Sequence, residues 1–370
     1  MSLEAVLDAG IVVCTGSGGV GKTTLAAAIG LEGARRGKTT VVLTIDPAKR
    51  LADSLGLREL SNEPRRVPAA QFRKARMAAA PLDAMMLDTK TTFDQLVHRY
   101  ARSPERAERI INNRFYQAIS GALSGTHEYM AMEKLYELHQ EDTYDLIVID
   151  TPPTRHALDF LEAPKRITSF LDGRLLKWFL LPTIGGGRGV FRAMNVAAVA
   201  FLRVVQRVVG AQVLKDTTEF FENFEGMYEG FKERAQAVYD LLRSESTRFV
   251  VITAPAEQAV EEALFFASTM HSYGLPFGGL VINRLHPSFA ISRAGRSGPG
   301  SAGAQMTGTP LVDCLLRVAE DFEQVRRREH ASLERLEAEI PRRRWVQIPY
   351  LTREVIDLKD LAEMGRLMFG

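Results

Sequence analysis

Cysteine is almost missing from this chain of 370 residues, which holds only Cys14 and Cys314, far apart in sequence. That scarcity excludes a disulfide framework, a C-x-x-C zinc clasp and an iron–sulfur cage built from a single chain. An excess of charge of either sign is lacking as well, since 47 Lys and Arg stand against 45 Asp and Glu. A formal net charge of +2 gives no footprint for nucleic acid or for an anionic membrane surface, so no nucleic-acid partner is expected. The short basic runs Arg326-Arg327-Arg328 and Arg342-Arg343-Arg344 sit beside acidic or apolar residues and read as solvated faces. No apolar run approaches the roughly 20 residues that span a bilayer. Residues 1–10 carry Glu4 and Asp8 and lack a cationic start with an apolar core, so no signal peptide and a soluble cytoplasmic protein are expected.

What is present is ordinary globular material, 46% hydrophobic and 25% charged, long enough for one large α/β domain with insertions or two smaller ones. One stretch stands out. The β-branched run Ile11-Val12-Val13-Cys14 leads into Gly16-Ser17-Gly18-Gly19-Val20-Gly21-Lys22-Thr23-Thr24, which fits G-x-x-x-x-G-K-[ST] at every fixed position. The following Leu25-Ala26-Ala27-Ala28-Ile29 reads as a helix, so the motif lies in the strand, loop, helix setting that it needs. Glycines allow the backbone N–H groups to turn inward on phosphate oxygens, and the helix aims its positive end at the same place. Lys22 is then expected to pair with β and γ phosphates, and the Thr23 hydroxyl to hold a magnesium ion.

In chain order, a first helix is predicted over about Lys22–Arg36, stopped by Gly37. The run Thr39–Ile45 reads as a parallel strand covered on both faces and ends in Asp46-Pro47-Ala48. Asp46 there can order an attacking water or the water shell of a metal, or simply cap the next turn. Leu82–Leu87 reads as a short strand. Ser103-Pro104 starts a helix whose spacing continues through Ile110, Ile111, Phe115 and Ile119 and resumes over Met130–Leu138. Tyr144–Asp150 ends four apolar residues in an aspartate, the Walker B pattern, in which Asp150 accepts from magnesium-bound water. The residues Thr151 to His156 continue it as a loop able to sense a γ-phosphate. Phe249–Thr253 and Gly279–Ile282 are further strands, the second ending in Asn283, whose amide can read an adenine edge. A charged helix over Leu311–Ile340, a strand over Trp345–Ile348 and a closing helix over Asp357–Met368 complete the chain, while 293–308 reads as a loop.

Between about Leu158 and Ser246 the pattern is helical with no strand signal, too long for a crossover connection. An α/β fold follows: a P-loop NTPase core over 1–157 and 247–370, with a mostly parallel doubly wound sheet, and an inserted helical subdomain over 158–246. Phe220, Phe224, Met227, Phe231, Ala235, Val238 and Leu242 keep helical spacing. Periodicity leaves two readings open, the subdomain's own core or a groove for a hydrophobic client or partner helix.

Gly18-Gly19-Val20-Gly21-Lys22-Thr23-Thr24, Asp46-Pro47-Ala48, the residues Asp150 to His156 and the late Asn283 together resemble the ArsA-type anion-pump ATPases. The ATPase that targets tail-anchored membrane proteins is in the same family. The resemblance implies an enzyme that hydrolyses ATP with Mg²⁺, as a homodimer or as a heterodimer with a paralogous ATPase, with nucleotide at the subunit face. It implies Asp46 as the carboxylate that activates water, Lys22 at the phosphates, Thr23 and Asp150 at the metal. Asn283 and the backbone near Pro349 and Tyr350 would form the adenine pocket, and the helical insert a groove for a hydrophobic client or membrane partner.

Three departures stand against that pattern. Ser17 occupies the place of the family's second lysine, and a hydroxyl cannot neutralise γ-phosphate charge as an ammonium does. Arg155, beside the second acid, is a candidate replacement. The cysteine cluster that binds metalloid and the C-x-x-C clasp of the eukaryotic targeting enzyme are both missing. A weakly hydrolysing regulatory subunit that works with a paralogue is therefore the alternative to a full ATPase. A chromosome-positioning ATPase is disfavoured by the long helical insert and the modest basicity.

Overall fold

The computed structural model describes residues 3–46, 50–120, 126–152, 227–287 and 310–370, with isolated positions between 212 and 223. The expected Thr154, Arg155 and His156, most of 158–246 and the loop at 293–308 lie outside the described residues.

A short α1 (Glu4–Leu7) precedes β1 (Ile11–Gly16), α2 (Lys22–Arg35), β2 (Thr40–Thr44) and α3 (Arg50–Leu55). Then come β3 (Arg65–Arg66), α4 (Ala69–Lys74), β4 (Leu82–Met86), α5 (Thr89–Tyr100), α6 (Pro104–Ile111), α7 (Arg114–Ile119) and α8 (Thr126–Gln140). The chain continues through β5 (Leu146–Asp150), α9 (Tyr228–Arg243), β6 (Thr247–Thr253), α10 (Glu257–Tyr273) and β7 (Phe277–Leu285). It ends with α11 (Pro310–Glu339), β8 (Trp345–Pro349) and α12 (Leu358–Phe369).

The eight strands form one sheet in the order β3-β4-β2-β5-β1-β6-β7-β8, parallel throughout except for the antiparallel edge strand β3. Strand residues alternate between two cores, as a period of two dictates. Ile11, Val13, Leu43, Ile149 and Val251 face one cluster with Phe93, Leu135, Val238 and Leu336 from the helices. Val12, Val42, Val148, Val250 and Val281 face the other with Leu25, Ile29, Leu51 and Leu361. Helices on both faces of a parallel sheet bury every central strand twice, which is why those strands read as unbroken apolar runs. The expected α/β, P-loop NTPase architecture with a mostly parallel doubly wound sheet is the one observed.

The helical spacing across Ile110 to Ile119 divides into α6 and α7. Asn113 breaks it, its side chain accepting from the N–H groups of Phe115 and Tyr116 as a helix cap. Of the residues read as a groove or a core, Phe220, Met227, Phe231, Ala235, Val238 and Leu242 are buried in the first cluster. Phe231 lies against the rings of Phe93, Tyr100 and Tyr129. For this helix the core reading holds. The α8 and α9 helices are also tied by a buried Arg234–Glu133 pair at 2.7 Å, with the Tyr129 hydroxyl donating to the same carboxylate at 2.6 Å.

Candidate functional site

The β1 strand stops where only glycine fits. Gly16 has φ 152°, and a Cβ there would stand 2.0 Å from the carbonyl oxygen of Ile252 on β6. Gly19 (φ 78°) and Gly21 (φ 96°) take left-handed conformations that side chains resist, and they fold the loop back onto the start of α2. Gly21 caps that helix without a side chain, and no acidic residue lies in its first turn. The N-terminal N–H groups and the positive end of the helix dipole therefore face the loop with no carboxylate of the helix's own beside them. Lys22 is 6% exposed and donates from Nζ to the Ser17 carbonyl at 2.8 Å, which braces the loop across its mouth. Burial pushes the Lys22 ammonium below its usual pKa, while Asp150 and Asp46 work in the opposite direction.

Two acids converge from neighbouring strands. The β5 strand lies between β1 and β2, with Asp150 opposite both Cys14 and Thr44. Asp150 is 1% exposed; its Oδ2 accepts from the Thr44 hydroxyl at 2.9 Å, whereas Oδ1 is buried with no hydrogen-bond partner. Burial raises its pKa above the ordinary carboxylate range, opposed by hydrogen bonds from Thr23 and Thr44 and by the charge of Lys22. The orphaned oxygen beside the Thr23 hydroxyl is the donor set a hard cation takes, so these residues fit a magnesium ion. Among the described residues no three His, Cys, Asp or Glu side chains gather to cage a metal, so such an ion would draw its other ligands from phosphate and water. Asp46 follows β2, its N–H donating to the Thr44 hydroxyl at 3.2 Å. Thr151 bonds the Cys14 carbonyl at 2.8 Å and fixes the chain just beyond Asp150.

One pocket gathers most of these groups, with Asp150 buried behind its wall. Gly19, Gly21, Lys22, Thr23 and Thr24 meet Asp46, Arg50 and Thr151 around it. Gly18 is exposed in the loop, and the Val20 side chain packs down into the core, leaving its backbone toward the loop. Thr151, which opens the loop expected to sense a γ-phosphate, lines the pocket; sequence reasoning missed Arg50, for which a cation four places after a strand-end aspartate was the available signal.

Asn283, expected at an adenine edge, makes its contacts here with the phosphate loop. It is buried on β7 and its amide donates to the Val20 carbonyl at 2.8 Å, while its oxygen accepts from the Arg284 N–H. A side chain at Gly21 would come within 2.5 Å of that amide. In this conformation the residue clamps the phosphate loop. Beyond it, at the same ends of β6, β7 and β8, opens a cleft of about 570 Å³ lined by Ala254, Pro255, Arg284, His286, Glu329 and Tyr350, among others. The Tyr350 ring is half exposed and stacks on His286 at 5.3 Å, which in turn is held by Glu329 of α11 at 2.5 Å. Pro349 does not line it but pairs with Leu285 in the ladder.

The sequence profile of the family described as anion-transporting ATPase matches residues 9–294. A protein of Aquifex aeolicus, described as arsenical pump-driving ATPase 1, is 20% identical over 97% of this chain and 78% of its own length. ATPase GET3C of Arabidopsis thaliana is 24% identical over 74% of this chain and 66% of its own length. A Halobacterium salinarum protein, also described as an arsenical pump-driving ATPase, is 31% identical, but over 46% of this chain and only 26% of its own length.

Proposed function

From the premise that this chain belongs to the anion-transporting ATPase family and is an ATP-hydrolysing enzyme, we propose that the pocket at Lys22 holds the triphosphate and that Asp46 directs the attacking water. The observation that carries this reading is the convergence of Lys22, Thr23, Asp46 and Asp150 at the adjoining ends of β1, β2 and β5. Ligands of open α/β sheets sit at such strand ends. The loop N–H groups and the α2 N-terminus would cradle the β and γ phosphates, and the Lys22 ammonium would leave the Ser17 carbonyl for phosphate oxygen. Thr23 and the orphaned oxygen of Asp150 would hold magnesium, directly or through its water, and the ion would neutralise charge that develops on the phosphates. Asp46, at the pocket wall, would accept a hydrogen bond from the water in line with the γ-phosphate. The base would enter the cleft beside Tyr350, whose exposed ring offers a stacking face.

On this assignment Asp46→Asn retains ATP affinity within a few-fold while turnover falls about 10²-fold or more, the usual worth of a positioned base. Paired equilibrium binding and phosphate-release assays check it; unchanged turnover would remove Asp46 from the mechanism. A second expectation concerns pH. Since the folded state raises the Asp150 pKa, ionising this carboxylate opposes folding, and the cost is absent below its unfolded value of about 4. The stability of the ligand-free wild type relative to Asp150→Asn should therefore decline as pH rises from about 4 toward neutrality. Urea unfolding across that range measures it, and a rising difference would contradict the burial account.

The coupled task is proposed from the chemistry of the chain. The thiol of Cys14 is buried and held protonated by that burial, and Cys314 lies exposed on α11, so one chain offers no thiolate cluster for a soft metalloid. That supports dimer closure coupled to the handling of a hydrophobic client or membrane partner over direct metalloid ligation. Ser17, a neutral residue in the loop, favours a second reading as a poorly hydrolysing subunit that needs a paralogue. Turnover of the purified chain alone, measured with and without candidate partners, separates the two.

A further inference from the structure

We propose that Arg50 is a catalytic residue, a γ-phosphate cation supplied in cis from the first turn of α3. The proposal rests on the ATPase reading above and deepens it.

Charge at the pocket makes a second cation necessary. Apart from Arg50, the charged side chains lining the pocket are Lys22 and Asp46, which cancel, and the buried Asp150 behind them adds no positive charge. A triphosphate with one magnesium brings about two negative charges, and its transition state spreads charge over the equatorial oxygens of the transferred group. Arg50 is the remaining cation in the wall of that pocket, facing the same space as Asp46, Lys22 and Thr23. Among the described residues it has no ion-pair or hydrogen-bond partner, and it is exposed, so the side chain is neither committed elsewhere nor fixed by packing. Its backbone is anchored instead. Leu51, Ala52 and Leu55, the next apolar residues of α3, are buried against α2 and the sheet. A guanidinium on a flexible stem above a firmly seated helix can lie in solvent without nucleotide and close on phosphate with two N–H donors. Ser17 supplies no charge, so Arg50 carries the compensation that the loop itself lacks.

The test compares Arg50→Ala, Arg50→Lys and Arg155→Ala with the wild type in the full-length chain. It measures ATP turnover, ATP and ADP affinity, and affinity for ADP with fluoroaluminate, which mimics the transferring phosphoryl group. For Arg50→Ala we expect turnover to fall about 10²- to 10³-fold, as for loss of one preorganised charge-stabilising donor. ATP and ADP affinity should stay within about 5-fold, fluoroaluminate affinity should fall in parallel with turnover, and Arg50→Lys should recover part of both. Turnover of Arg50→Ala within 3-fold of wild type overturns the proposal, as does an equal loss of ADP and ADP–fluoroaluminate affinity or a loss seen only in Arg155→Ala. Failure of the underlying reading is distinct: the wild type would then bind no ATP, or Lys22→Ala would bind it equally well.

Discussion

Lys22→Ala is expected to lose ATP turnover by about 10³-fold or more and most of its nucleotide affinity while remaining folded. The first effect follows from charge. Lys22 is the buried cation of the phosphate loop, and a single preorganised charge-stabilising donor is worth about 10²- to 10³-fold in rate even where others remain. The second follows from geometry, because Nζ also braces the Ser17 carbonyl and so keeps the loop open before the ligand arrives. Retention of the fold follows from burial, which lowers the pKa of this ammonium and means that the native state gains little from its charge. The decisive measurements are nucleotide affinity by calorimetry and thermal unfolding on the same sample. Wild-type affinity in the variant would refute the loop assignment; collapse of the fold would show that Lys22 is structural.

Gly16→Ala should be the most damaging single-methyl change, costing about 3–5 kcal/mol of stability, at the severe end for overpacking. The added carbon meets the Ile252 carbonyl at 2.0 Å, and that oxygen belongs to the central strand β6 and cannot swing aside as a side-chain tip would. Gly19→Ala is the internal control. Gly19 is also left-handed, at φ 78°, but a Cβ there meets nothing within 4 Å, so its cost should be limited to about 1 kcal/mol of backbone preference. Urea unfolding of both variants separates steric exclusion from conformational strain. Similar losses for the two would mean that the close approach to Ile252 is not what demands glycine at position 16.

Strands β1, β2, β5 and β6 were legible because each is covered on both faces and so carries an uninterrupted apolar run. Gly19, Gly21, Lys22, Thr23 and Thr24 were legible at one pocket because a loop motif fixes them within a few positions of one another, and Asp46 because it follows an apolar strand. What escaped has physical reasons. The edge strand β3 is two exposed arginines held by pairing and by the Arg66–Asp83 contact, so no hydrophobic pattern betrays it. Helix α5 buries only Thr92, Phe93, Leu96 and Val97, and its polar majority masked the stripe although Asp88 caps it from the side chain. Arg50 has no fixed place in any motif, and Asn283, expected at the nucleotide, was not expected to hold the loop. Nothing local to Asn283 announces a hydrogen bond to Val20, 263 positions away.

The seat of α2 on the sheet also bears on the reaction centre. A Cβ at Gly30 would strike Val42 at 2.3 Å, and one at Gly33 would strike Leu146 at 2.4 Å, so these two bare positions let the helix settle directly onto β2 and β5. They lie about 12 and about 17 Å along the axis from Lys22, at roughly 1.5 Å per residue. A methyl group inserted at either would act as a shim beneath the far end of a rigid rod and tip its near end, with the ammonium and the Thr23 hydroxyl, relative to Asp46 and Asp150. Alignment of the two halves of the phosphate site is thus calibrated by empty space remote from it.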